Sequence, residues 1–261
     1  MKIATVPYSN AWPLTAFLAE GLPGATITSM FPSQMLPLLT SREIDLVLMP
    51  VIELMYLPDG YILGNGCVSC RGEVQSVLLY SKCPLPDIKT LALDASSRSS
   101  ITLAGVLLRS FYNCSPQTVP LPSQMSAVEI EACESDAFVL IGDRALAFEP
   151  SSPCWLYRYD LGELWHRHTG LPFVFAAWIA CTEQSDQLID TLNAVRDKGV
   201  AEMESIIQRI QSEELPIPPD RMLHYLRHNI HYHLGQQEQA GMNEFFDRAF
   251  AVGLIPQRRV V

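Results

Sequence analysis

Leu91-Ala-Leu-Asp-Ala-Ser-Ser-Arg-Ser-Ser-Ile-Thr-Leu-Ala-Gly-Val-Leu-Leu-Arg109 reads as three elements in immediate succession. The apolar run Leu91 to Leu93 has the character of a buried strand. Ser96 to Ser100 form a polar turn, and from Ile101 onward apolar residues recur at helical period. A strand, a turn and a helix start packed this closely make a βα unit, and repetition of such units gives an α/β fold. The turn also carries unpaired backbone N–H groups and the positive end of a helix dipole. Four hydroxyls (Ser96, Ser97, Ser99 and Ser100) and the Arg98 guanidinium face the same region, a set suited to a carboxylate or phosphate. Helix capping is the competing use of these serines, but a cap needs only one of them.

The same alternation extends outward on both sides. Strand-like runs occur at 2–7, 25–30, 45–49, 61–69, 74–81, 90–94, 136–141, 155–159 and 172–181. Helical patterns fall at 11–20, 33–41, 99–112, 125–132 and 160–168, which predicts an α/β protein with largely parallel sheets. From residue 184 onward the pattern is helical only, over 184–211, 219–230 and 237–252, with Pro216, Pro218 and Pro219 separating the first two segments. Cys83-Pro84-Leu85-Pro86 and Gly170-Leu171-Pro172 bracket the centre of the chain. They predict a discontinuous first lobe, 1–83 plus 172–261, enclosing a second lobe, 84–171. In such an architecture a ligand binds between the lobes, at strand carboxyl ends and helix amino ends.

Composition narrows the function classes. With 48% hydrophobic and 18% charged residues, the 261-residue chain can bury a substantial core. The net charge is −10, only 4 of the 18 basic residues are lysine, and no basic cluster appears. Nucleic acid is therefore not the expected partner. The N-terminus enters a strand without a signal-peptide pattern, and no stretch has the length of a membrane span. The seven cysteines are scattered and odd in number. Together these features predict a cytoplasmic protein with reduced thiols and no membrane partner.

Four further segments carry candidate site residues. In Tyr8-Ser9-Asn10, where the first strand becomes a helix, Asn10 can cap the helix or donate to a ligand oxygen. In Ser69-Cys70-Arg71-Gly72, Arg71 can form a carboxylate fork or sit solvated in a hairpin. Ser76 heads a buried strand and can point into the cleft or bond locally. In Gly142-Asp143, the glycine permits close backbone approach, while Asp143 can cap the next helix or touch a ligand. His224 and His228 share a helical face with Asp220, but Asp220 follows Pro219 where a cap is ordinary, so no metal site is assigned. No phosphate-loop, nucleophile-elbow or dinucleotide motif is present.

Taken in order, these segments resemble the chorismate dehydratase family of the futalosine route to menaquinone. The resemblance runs through Tyr8-Ser-Asn-Ala-Trp-Pro-Leu14, Asp45-Leu-Val-Leu-Met-Pro50, Ser69 to Lys82, Leu93 to Ser100, Asp136 to Asp143, Tyr159 to Glu163, Thr169 to Phe175, and Tyr225 to Gly235. It implies a type II periplasmic-binding-protein-like fold serving an enzyme that dehydrates chorismate without a cofactor. It also implies Asn10 as the catalytic residue. Tyr8, Ser9, Cys70, Arg71, Ser76, Ser96, Ser97, Arg98, Ser99, Ser100, Gly142 and Asp143 would then contact a small dicarboxylate, chorismate. Ser9, Cys70 and Glu73 stand where the family commonly has other residues. A solute-binding protein or a ligand-sensing domain shares the fold class and is the alternative. The first would call for an export signal and the second for a DNA-binding helix pair, and the sequence shows neither pattern.

Overall fold

Residues Lys2–Thr5 form β1, a strand whose apolar centre, Ile3 and Ala4, is buried. The computed structural model of the protein describes residues 1–94, 98–122 and 124–259. Among them the strands continue in chain order with β2 (Thr26–Ser29), β3 (Leu46–Pro50), β4 (Tyr61–Cys70), β5 (Val77–Ser81), β6 (Thr90–Asp94), β7 (Gln117–Leu121), β8 (Ala137–Ile141), β9 (Tyr157–Asp160), β10 (Phe173–Ala180) and β11 (His231–His233). One sheet has the order β11-β4-β10-β3-β1-β2 and the other β7-β6-β8-β5-β9. The α/β alternation read from the sequence thus resolves into two sheets, one per lobe.

Three expectations are corrected. The sheets are mixed rather than largely parallel. β1 runs parallel to β2 and β3, and β6 to β7 and β8, but β10 is antiparallel to β3 and β4, and β5 to β8 and β9. The two crossover strands cause this, because each carries the chain from one sheet into the other against the direction of its neighbours. The first crossover also lies at 71–76 instead of Cys83–Pro86. Val77–Ser81 is buried throughout and pairs within the second sheet, although the sequence division placed it in the first lobe. The last third, finally, is not all helix, since β11 pairs with the edge of β4. Its three residues are too few to show a period. β7 was missed as well; it is a largely exposed edge strand containing Pro120, a residue tolerated there because an edge has hydrogen-bonding groups to spare.

Side chains alternate across the second sheet as the pleat requires. Val77 and Leu79 of β5, with Ala137, Val139 and Ile141 of β8, join the core shared with the first lobe. Leu78, Tyr80, Phe138 and Leu140 point the other way, into a smaller core with Phe148 and Trp155. Between the sheets lies the helix Arg98–Tyr112, which packs against the 3-10 segment Val51–Tyr56 and the helices Leu161–Thr169 and Gln236–Ala251. The helix Asp186–Ala201 crosses the short helix Trp12–Thr15 so closely that a Cβ on Gly199 would sit 1.9 Å from the Pro13 carbonyl oxygen. That contact fixes the segment following β1, which carries Asn10.

Candidate functional site

A cavity of about 40 Å³, roughly the space of two or three waters, lies between the lobes. Val6, Tyr8, Asn10, Pro50, Val68 and Phe175 line it from the first lobe, and Ser76, Ser100, Ile141 and Gly142 from the second. Its walls are strand carboxyl ends and a helix amino end, the positions where an α/β fold binds ligands.

Asn10 lies within the 3-10 turn Ser9–Ala11, which has no side-chain cap, so its carboxamide is not consumed in capping. It approaches the hydroxyl of Tyr225 instead. Ser76 comes immediately before β5, and its Oγ accepts a 2.8 Å hydrogen bond from the same Tyr225 hydroxyl. Asn10 and Ser76, 66 positions apart in sequence, thus share a partner from a third segment, the π-helical turn Tyr225–Asn229. Ser100, in the first turn of its helix, also lines the cavity and is buried.

Gly142 adopts φ +58°, and a Cβ there would lie 2.8 Å from the Tyr8 ring. This is a close approach only glycine permits. The next carboxylate, Asp143, reaches across the lobes and accepts from the Ser9 backbone N–H and hydroxyl. Burial pushes its carboxyl above the usual range, and the Ser9 hydrogen bonds pull it back. Ser9 and Asp143 therefore join the lobes to each other. Ser9 supplies this contact through both its backbone N–H and its hydroxyl.

Other residues in the expected set lie elsewhere. Cys70 is fully buried against Gly162, with its thiol held protonated by burial, and does not line the cavity. Arg71 forks onto Glu238 at 2.7 and 2.9 Å, so a buried carboxylate of the last helix already occupies it. Arg98 pairs with buried Glu53 at 2.8 Å and rests over the Tyr56 ring. The Ser99 hydroxyl accepts from the Ile52 backbone N–H. Ser96 and Ser97 lie outside the described residues. The rings of His224 and His228 lie 4.6 Å apart at a tilt of 43°.

Tyr225 and Asp160 lie in segments that carry the resemblance, but the sequence gives neither a site role. Tyr225 lies 149 positions from Ser76, and no local pattern reports so distant a contact. Asp160 caps the helix Leu161–Thr169 through the Glu163 N–H and accepts from the backbone N–H groups of Val74 and Gln75. It thereby anchors the crossover that presents Ser76. Its position between a strand and a helical pattern gave a signal for the cap, but none for the crossover.

Two lobes joined by crossovers, with a mostly apolar cavity between them that Asn10, Ser76 and Ser100 line with polar groups, define a protein of the periplasmic-binding-protein fold. The structure matches protein AF1704 from Archaeoglobus fulgidus with a TM-score of 0.73 at 14% identity, over 97% of this chain and 98% of that one. It matches the periplasmic aliphatic sulphonate binding protein SsuA from Escherichia coli with a TM-score of 0.66 at 16% identity, over 99% and 89%. Residues 1–251 match a family described as menaquinone biosynthesis, and the chain belongs to that family. It is 31% identical over 266 residues to the chorismate dehydratase of Thermus thermophilus, covering 95% of this chain and 93% of that protein.

Proposed function

We propose that the protein is a chorismate dehydratase, a hydro-lyase that converts chorismate to 3-[(1-carboxyvinyl)oxy]benzoate in the cytoplasm, on the futalosine route to menaquinone, without a cofactor. The observation that carries this reading is the meeting of Asn10, Ser76 and Tyr225 at a cavity closed between the lobes. The 31% identity to a chorismate dehydratase over nearly the whole chain supports it.

The reaction removes a proton from the ring carbon bearing the ether and hydroxide from the adjacent carbon, and the ring becomes aromatic. With that driving force, positioning and exclusion of water supply much of the acceleration. Ser100 and the first turn of the helix Arg98–Tyr112 offer donors to one carboxylate. In this reading Asn10 holds the enolpyruvyl carboxylate, which takes the ring proton. The cavity is far smaller than chorismate, so the lobes part to admit substrate, hinging at 71–76 and 170–172. The Ser9–Asp143 contact re-forms on closure.

Incubation of the purified protein with chorismate, followed by ultraviolet absorbance and mass, tests the assignment. Loss of one water is expected, and binding without turnover would mark a carrier or sensor instead. Asn10→Ala is expected to lower kcat by about 100-fold. Turnover near wild type in that variant would remove Asn10 from the chemistry.

A further inference from the structure

We infer that Tyr225 supplies, through the Ser76 hydroxyl, the proton that turns the departing hydroxide into water. The inference rests on the dehydratase reading above and assigns a role that reading leaves open. Hydroxide is a poor leaving group, and an elimination that expels it gains from protonation as the carbon–oxygen bond breaks.

The geometry forms a directed chain. A hydroxyl carries one proton and two lone pairs. Tyr225 gives its proton to Ser76 Oγ at 2.8 Å. Ser76 lines the cavity, and among the described residues its own proton has no acceptor. That proton is left for a ligand. Beside Tyr225 stands the Asn10 carboxamide, which also lines the cavity and whose hydrogen bond to the phenol favours its ionised form. The order is therefore Tyr225 O–H, Ser76 O–H, then the cavity. Tyr225 is fully buried, so no bulk water competes for its hydroxyl.

The step balances. The carbon–oxygen bond breaks with its electron pair on oxygen, and that oxygen takes the Ser76 proton and becomes water. Ser76 takes the Tyr225 proton, and the resulting phenolate is held by Asn10. The ring proton, meanwhile on the substrate's enolpyruvyl carboxylate, returns to Tyr225 through Ser76, and loss of one water is the only net change. Transfer from phenol to hydroxide runs downhill, because a phenol is a much stronger acid than water. Burial raises the Tyr225 hydroxyl above its ordinary value and keeps it in the donor form.

Tyr232 provides an internal control. It is also buried in this region, but among the described residues its hydroxyl has no hydrogen-bond partner. Tyr225→Phe, Ser76→Ala and Tyr232→Phe are compared with wild type on chorismate and on the analogue in which fluorine replaces the leaving hydroxyl. Fluoride departs without a proton. Tyr225→Phe is expected to lose about 100-fold in kcat on chorismate with KM changed less than about threefold, and to stay within about threefold of wild type on the fluoro analogue. Tyr232→Phe is expected to match wild type on both. Ser76→Ala should reproduce the selective loss and serves if Tyr225→Phe does not fold. Equal losses on the two substrates, or unchanged kcat on chorismate, would overturn the proton-delivery role while leaving the dehydratase assignment standing. A wild-type protein that converts neither substrate would overturn the assignment itself, and this inference with it.

Discussion

Asp160 gives a quantitative test of how the crossover is held. Its carboxylate accepts from the backbone N–H groups of Val74, Gln75 and Glu163. Those bonds favour the charged form, but burial outweighs them and pushes the carboxyl from 3.8 up to about 6. A carboxyl raised on folding holds its proton more tightly in the folded chain than in the unfolded one. Its stabilising contribution is complete below pH ~3.8, where both states are protonated, and is lost as pH rises through ~6. The gap of about two units corresponds to about 3 kcal/mol. Asp160→Asn has the same shape and does not titrate. Urea unfolding of wild type and variant, followed by tryptophan fluorescence from pH 4 to 8, isolates this group, because other titrations cancel in the difference. A constant offset is expected, since the amide nitrogen cannot accept a hydrogen bond, and only the slope is diagnostic. Wild type should lose about 2.4 kcal/mol of this relative to Asp160→Asn between pH 4 and 7, because the unfolded carboxyl is already more than half ionised at pH 4. A flat difference, or a wild type that gains on the variant as pH rises, would refute the reasoning and show that the three N–H donors dominate burial.

Two further outcomes follow from contacts at the cavity and its rim. Gly142→Ala places a Cβ on a φ of +58° and against the Tyr8 ring. It should cost about 1–2 kcal/mol in urea unfolding and lower kcat/KM by displacing a cavity wall, and unchanged stability would refute the strain argument. Arg98→Ala removes the cation from Glu53, which is only 3% exposed and already raised by burial with Arg98 alone pulling it down. The folded-state carboxyl then rises further, so the loss of stability should be larger at pH 8 than at pH 5, and adding Glu53→Gln should abolish that pH dependence.

Much of the fold was legible because it is written in short-range patterns. The strands at 2–5, 46–50 and 137–141 are apolar runs of sheet length, and the helix Arg98–Tyr112 takes Ser99 and Ser100 into its first turn and continues as the period required. The strands that escaped, β7 and β11, lie at sheet edges, where a half-exposed or three-residue segment leaves little signature. The first crossover was misplaced because Pro84 and Pro86 punctuate the chain more strongly than the segment 71–76. In that segment the turn is held by Asp160, a carboxylate 85 residues further along the chain.

The site divides along the same line. The sequence by itself determined the α/β character of the chain and the segments around Asn10, Ser76, Ser100 and Gly142, since strand ends and helix starts are set by local periodicity and turn chemistry. Which side chains meet was decided only by the tertiary structure. Arg71 and Arg98, the cations in the expected ligand set, are drawn to buried Glu238 and Glu53, because a carboxylate removed from water needs a partner. The serine-rich turn accordingly contributes Ser100 to the cavity, while Arg98 faces Glu53. Tyr225 reaches Ser76 and Asn10 because the chain passes out to the second lobe and back before returning to the cavity. The physical reason is reach: periodicity acts over a few residues, whereas the cavity is assembled by contacts more than a hundred residues apart.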